Sequence, residues 1–403
     1  MRILSIFFTN DRKCIIASML SKTGNYRLYY SLYPFEKKDM ICERSFMIVP
    51  IGIKKGKLIY KEKNQVNHFY VPNCKASGFL NNVRSIDYNT LLHDTYKNLS
   101  LTVTNDKGGN IVFVNQEKLN IPVHFTVKNC YFLDNKTLIL LCSSTLNSSM
   151  LVYYSIPERE LNYLKMTSQL TFPLSFFEHQ IIGEKKIPCL THINRSDDTV
   201  LICLHGGPKY HYNHEYLDLI FDFYHNFNNI CLVNFPGSTG YSQKYENELI
   251  GNGGVVDVEA VKSVVSYYDS QGFKIKIYGE SYGAYIAICL SQFINFSIAR
   301  IVSVSGFTNL FYMYLCSDSR NLIEKYFSDY RKFSPEKNLA MKELLPIIFL
   351  HGSEDKTCPI AQINYFVKKY EGMHLTVLDG FSHYEVDIKK EKIRNKRIVR
   401  LLK

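Results

Sequence analysis

From about residue 175 onward the chain repeats one pattern: an apolar strand, a loop, a helix. The runs are "DTVLICLHGGP", "NICLVNFPGSTGY", "VEAVKSVVSYYDS", "FKIKIYGES", "YIAICLSQF", "ARIVSVSGF", "LPIIFLHGSED" and "LTVLDGFSH". Strands that alternate with helices build βαβ units, and hence a mostly parallel sheet. "LICL", "ICLV" and "IIFL" are apolar on both faces, as strands covered by helices on either side must be. Residues 175–403 are therefore predicted to form an α/β domain with helices on both faces of its sheet.

The first 165 residues follow a different rule. Short β-rich runs, among them "RKCIIASML", "NYRLYYSLY", "RSFMIVPIGI", "LSLTVTN", "NIVFVN", "TLILLCS" and "MLVYYSI", are separated by turn clusters such as "KTGN" and "NDKGGN". No sustained 3.6-residue period appears, so residues 1–165 are expected to be all-β. Such strands suit a propeller, a sandwich or a barrel, and at roughly 40 residues per propeller blade this stretch holds only about four blades. Two domains also suit a chain of 403 residues, which exceeds the usual size of a single core. Between the halves, "FPLSFFEHQIIGEKKIPCLTHI" reads as an antiparallel hairpin that could begin either domain.

Composition excludes several classes. Charged residues at 21% and hydrophobic residues at 46% are ordinary globular usage. The net charge of +11 is spread along the chain, so nucleic acid is not the expected partner. The densest basic run, "IKKEKIRNKRIVRLLK", places Ile388, Ile393, Ile398 and Leu402 near helical spacing and reads as an amphipathic closing helix with a solvated basic face. Eleven cysteines, an odd number without a Cys-x-x-Cys pair, argue against a disulfide framework and a zinc cluster. The apolar run in "MRILSIFFTNDRK" is too short for a secretory leader. No run approaches the ~18 apolar residues of a membrane span. A cytoplasmic protein that binds neither membrane nor metal is the expectation.

Within the α/β half, "GESYGAY" puts Ser281 between Gly279 and Gly283, after a predicted strand and before a predicted helix. Gly-x-Ser-x-Gly alone is a weak signal. In this placement, however, a strained turn lifts the serine hydroxyl above the sheet's C-terminal edge. A serine needs a base, and the base an acid to fix its tautomer. Downstream, Asp355 follows the strand of "LPIIFLHGSED" and His383 follows that of "LTVLDGFSH", in the order Ser, acid, His. Glu354 is an alternative acid, and Glu280 is read as orienting the elbow. A tetrahedral oxyanion also needs donors. The candidates are Tyr282 N–H and, from "LHGGP", the N–H of Gly206 or Gly207, with His205 read as a structural residue holding that loop. The implied fold is an α/β hydrolase.

These motifs resemble the catalytic domain of the prolyl oligopeptidase family of serine peptidases. The likeness rests on "HGGP", "GSTGYSQKY", "GGVVDVEAV", "GESYGAY", "HGSEDKTCP" and "GFSH", in the family's order. It implies Ser281 as nucleophile, Asp355 as acid and His383 as base. It also implies that "SGFTNLFYMYLCSD" lines a substrate pocket, which points to Phe311, Tyr312 and Tyr314, with core packing the competing reading for each. The family's N-terminal domain is a β-propeller that restricts access to small peptides, and a reduced version is the expectation here. Two departures stand out: family members usually carry arginine where this chain has Pro236, and tryptophan where it has Gly253.

The expected activity is a serine peptidase acting on short peptides, with no cofactor. An esterase, or an acyl transferase including a peptide ligase or cyclase, would use the same acyl-enzyme. A binding protein with an inert hydrolase domain is the reading outside enzymology. An oligomer is compatible with all three.

Overall fold

The structure, a computed structural model, describes residues 2–20, 25–32, 38–44, 48–62, 65–76, 90–106, 108–163, 177–339, 343–385 and 387–403. It divides into two compact units, one over Met1–Ser175 with His214–Leu217, the other over Phe176–Asn213 with Asp218–Lys403.

The first unit is built of antiparallel sheets whose strands follow one another in sequence. One holds β1 (Arg2–Phe8), β2 (Cys14–Leu20), β3 (Tyr26–Leu32) and β4 (Asp39–Arg44); a second holds β5 (Ile48–Lys54), β6 (Lys57–Glu62) and β7 (Gln65–Tyr70). A third holds β8 (Thr90–Tyr96), β9 (Leu99–Asp106), β10 (Gly109–Val114) and β11 (Glu117–Lys118), and a fourth β12 (Thr126–Phe132), β13 (Thr137–Ser144), β14 (Asn147–Ser155) and β15 (Glu160–Tyr163). Side chains alternate across a strand, and β13 buries both of its faces. Ile139 and Leu141 pack with Ile6, Phe8 and Ile15 of the first sheet, whereas Leu138, Leu140 and Cys142 pack with Leu101, Val103 and Val112 of the third. The fourth sheet is thus a layer between two others. Arg12 and Asp94 form a buried pair at 3.0 Å across the same layers, and Asp94 also accepts from Phe132 N at 2.9 Å.

In the second unit the hairpin of β16 (Glu178–Ile182) and β17 (Ile187–Ile193) joins the α/β sheet. The remaining strands are β18 (Thr199–Leu204), β19 (Asn229–Val233), β20 (Lys274–Glu280), β21 (Ile298–Val304), β22 (Ile347–Gly352) and β23 (Met373–Leu378). Their order is β16-β17-β19-β18-β20-β21-β22-β23, parallel from β19 onward. The helices are α1 (Asp218–Tyr224), α2 (Gln243–Asn247), α3 (Val256–Ser270), α4 (Tyr282–Leu290), α5 (Leu310–Cys316), α6 (Arg320–Tyr326), α7 (Pro335–Asn338), α8 (Ala361–Lys369) and α9 (Ile388–Leu402). Register aligns the C-terminal ends: Leu204 pairs with Val233 and Gly279, Glu280 with Val304, and Gly352 with Leu378. The loops after β18, β20, β22 and β23 therefore open on one sheet edge. Among the described residues no helix is long and apolar enough to cross a membrane.

One sequence expectation needs correcting. The closing helix forms over Ile388–Leu402, but Ile393 is 56% exposed, and the inward face is Asn395, Ile398, Val399 and Leu402. Steps of five residues turn about 500° around a helix. Ile388, Ile393 and Ile398 therefore cannot share one stripe, whereas steps of three and four can.

Candidate active site

The turn after β20 is a strained one. Ser281 has φ 54° and ψ −113°, a region that costs a non-glycine residue about 1 to 3 kcal/mol. Its N–H donates to Val304 O at 2.9 Å, and its C=O accepts from Tyr285 N at 3.1 Å. The flanking glycines have a steric reason. A Cβ on Gly279 would lie 2.3 Å from Gly283 O, and one on Gly283 would lie 2.3 Å from Leu204 O. The helix thus starts against the backbone of its own strand and of β18. All residues of α4 are buried.

At this edge the sequence-predicted trio meets. His383 Nε2 lies 3.1 Å from Ser281 Oγ, and His383 Nδ1 lies 2.8 Å from Asp355 Oδ2. Asp355 is held in turn by Cys358 N, which donates to Oδ1 at 2.6 Å. Sequence reasoning missed two neighbours. His351, buried at the end of β22, donates from Nε2 to Cys358 O at 2.7 Å and lies 3.6 Å from Asp355 Oδ2. Burial pushes it below the usual imidazole range, so it serves as a neutral donor. Cys358 places its thiol in hydrogen-bonding reach of Ser281, and burial pushes that thiol well up. A Cβ on Gly352 would lie 2.3 Å from Phe381 O, so the loops carrying Asp355 and His383 touch through backbone. Glu354 is exposed; its N–H donates to Phe381 O at 2.9 Å.

The loop after β18 sits over the elbow. A Cβ on Gly206 would come within 3.3 Å of Ser281 Cβ, and Gly207 has φ 121°, a conformation that favours glycine. His205 is buried; Nδ1 lies 2.7 Å from Gly206 O and Nε2 lies 2.9 Å from Ser238 Oγ. Burial lowers it to about 3, so the ring is neutral, with Nδ1–H donating to the Gly206 carbonyl; the Ser238 hydroxyl lies between Nε2 and Phe235 O, 2.7 Å away. It stacks on Phe235 at 4.4 Å. His205 thus fixes the loop. Tyr282 opens α4, where the first N–H groups have no intrahelical acceptor.

A third missed residue lies under that donor. Asp257 is fully buried; Oδ2 accepts from the Tyr282 hydroxyl at 2.8 Å, and Oδ1 accepts from Gly254 N at 2.8 Å and Val258 N at 2.9 Å. The signal was an aspartate among valines in "VVDVEAV". Burial raises it to about 6, against the pull of those hydrogen bonds. A carboxyl raised by folding binds its proton more tightly in the folded chain. Its contribution to stability is fully present below its unfolded pKa of about 4 and is lost as pH rises through about 6. Asp257→Asn keeps an acceptor for both amides and removes the titration. The melting temperature of the variant relative to wild type should therefore rise between about pH 4 and pH 7; parallel curves would refute this.

Of the residues expected to line a pocket, Tyr312 borders a cleft of about 690 Å³ with Leu315, Cys316, Asp318 and Lys356. Tyr314 packs on the rim of the core, its ring 5.4 Å from that of Tyr330. Phe311 is exposed. A neighbouring cleft of about 660 Å³ runs along His383, Tyr384, Ser382 and Asp318. Among the described residues no three His, Cys, Asp or Glu side chains converge as metal ligands would.

Residues 227–376 match the prolyl oligopeptidase family model. The chain carries a prolyl oligopeptidase family domain. It is 27% identical over 233 residues to the uncharacterized peptidase YuxL of Bacillus subtilis, a match that takes in 52% of this chain and 32% of that protein. The chain thus spans about a third of the length of that relative. The fold is that of the Pyrococcus horikoshii acylaminoacyl peptidase in its orthorhombic crystal form, with a TM-score of 0.65 at 16% identity over 100% of this chain and 82% of that one. It is also that of an acylaminoacyl peptidase in complex with Z-Gly-Gly-Phe-chloromethyl ketone, with a TM-score of 0.63 at 17% identity over 99% and 70% of the two chains. In this family domain the departure at Gly253 has a local cause. Its N–H donates to Tyr326 O at 2.8 Å, and a Cβ would lie 2.8 Å from that oxygen and 3.0 Å from the Tyr282 hydroxyl. No tryptophan fits there. Pro236 is buried.

Proposed function

We propose that the chain is a serine peptidase that cleaves short peptides through an acyl-enzyme on Ser281. The observation that carries this reading is the unbroken relay from Ser281 Oγ through His383 to Asp355. Ser281 Oγ attacks the peptide carbonyl while His383 Nε2 takes its proton. Asp355 holds Nδ1–H and stabilises the imidazolium. The oxyanion is received by Tyr282 N–H and by Gly206 or Gly207 N–H, positioned by Asp257 and His205 respectively. His383 then gives its proton to the leaving amine, the C–N bond breaks, and water repeats the sequence on the ester. The peptide-derived inhibitor named with one structural neighbour supports a short peptide as substrate, and the sheets of the first unit are read as a reduced propeller.

The test is a fluorophosphonate. It should add to wild-type protein at one site, found by mass spectrometry on the peptide containing Ser281; addition elsewhere, or none, would sink the reading. A mixed peptide library then separates hydrolysis from ligation by product mass. Within the cleft, Tyr312→Ala should shift substrate preference roughly 10- to 200-fold, because one apolar wall discriminates by about 1 to 3 kcal/mol. Tyr314→Ala should instead lower the melting temperature. Unchanged selectivity in the first, or unchanged stability in the second, would reverse the two assignments.

A further inference from the structure

The correction to α9 leaves a polar side chain turned inward. Arg394, next to the buried Asn395, is only 15% exposed and places Nη1 3.3 Å from Glu280 Oε1. Its Nε finds no partner in the structure. Glu280 is the residue before the nucleophile. Its other oxygen, Oε2, accepts from the Tyr278 hydroxyl at 3.0 Å. The same stretch of chain also reaches the base. Lys390 donates to Gly380 O, and Glu385 accepts from Ser382 N, so the loop carrying His383 is anchored from both sides.

The electrostatics are specific. Glu280 directly precedes Ser281, whose Oγ lies 3.1 Å from His383 Nε2, and the Tyr384 ring lies 4.8 Å from that of His383. Facing Glu280 are Arg394, Tyr278 and Tyr212; facing Arg394 are Glu280, Tyr278, Glu391 and Glu385. Facing His383 are Asp355, neutral His351 and Tyr384, and the cleft it borders also carries Asp318, Glu354 and Lys356. An uncompensated carboxylate beside the elbow would favour the imidazolium and so withhold the base. Arg394, itself only 15% exposed, sets a cation 3.3 Å from that carboxylate, which is 33% exposed.

We propose that Arg394 is a positioning residue that acts through Glu280: the helix supplies a cation that neutralises the elbow carboxylate and keeps His383 free to accept a proton. The proposal rests on the reading of His383 as the base. It assigns the pair a pH-setting role that a purely structural ion pair would lack.

The experiment measures the second-order rate of fluorophosphonate addition to Ser281 against pH in the full chain. In Arg394→Gln the acid limb should move up by about half to one pH unit, since Glu280 is left uncompensated. In Glu280→Gln it should move down, because Arg394 is then the unpaired charge. The double variant should return close to wild type, and Arg394→Lys should keep the wild-type limb. Shifts in the same direction in both single variants, or none in either, would overturn the proposal while labelling of Ser281 stands. Should Arg394→Gln fail to fold, the downward shift in Glu280→Gln and the retained limb in Arg394→Lys decide it. Absence of labelling in the wild type would instead remove the reading of the active site on which the proposal depends.

Discussion

Ser281→Ala should fold, melt like wild type and lose peptide turnover by about six orders of magnitude, and Asp355→Asn should lose about four. The first removes the atom proposed to form the acyl bond. The second leaves the relay in place but offers His383 Nδ1 an amide, which lets the ring settle in the tautomer whose Nε2 carries the proton. Such a ring cannot take one from Ser281. Glu354 is the internal control, because it sits one residue from Asp355, is exposed, and touches the base loop only through its own backbone. Glu354→Gln should retain turnover within a factor of a few. A dead Glu354 variant beside an active Asp355 variant would transfer the acid role. The check is kcat for a labile peptide substrate, with fluorophosphonate addition as a second readout.

What could be read from sequence divides along a physical line. That Ser281, Asp355 and His383 would come together was legible because each follows a strand, and parallel strands in register deliver their C-terminal ends to one edge. His351, Asp257 and Arg394 were not, because each works at a distance set by packing. Arg394 is the clearest case. In a run where nearly every second residue is basic, nothing in the string distinguishes the arginine that faces Glu280 from those that face solvent; only the rotation of α9 does. Sheet strands show the same limit. "TLILLCS" declares itself by continuous apolar residues, while β6, "KLIYKE", and β7, "QVNHFY", intersperse polar residues with apolar ones and fall below the pattern. Gly253 taught the converse. A residue that departs from the family pattern was legible as a departure, and its cause, the Tyr326 carbonyl pressed against it, was not.

Gly283→Ala should be among the most damaging single-methyl changes in the domain. The added Cβ would lie 2.3 Å from Leu204 O and 2.6 Å from His205 O, both backbone atoms that no rotamer change can move. Either α4 must lift away from the sheet or the end of β18 must retreat. Lifting α4 displaces Tyr282 N–H, and retreat of β18 displaces the Gly206–Gly207 loop. Both routes pull a donor off the proposed oxyanion site, so turnover should fall by at least about 10² to 10³, the cost of one such donor. Overpacking also strains the fold, and a stability loss of about 1 to 3 kcal/mol should accompany it. The two effects separate by temperature. Well below the melting transition the variant is folded, and a purely structural role would leave turnover there close to wild type. Near-wild-type turnover at low temperature would show that the elbow tolerates a methyl and that the oxyanion donors do not depend on this contact.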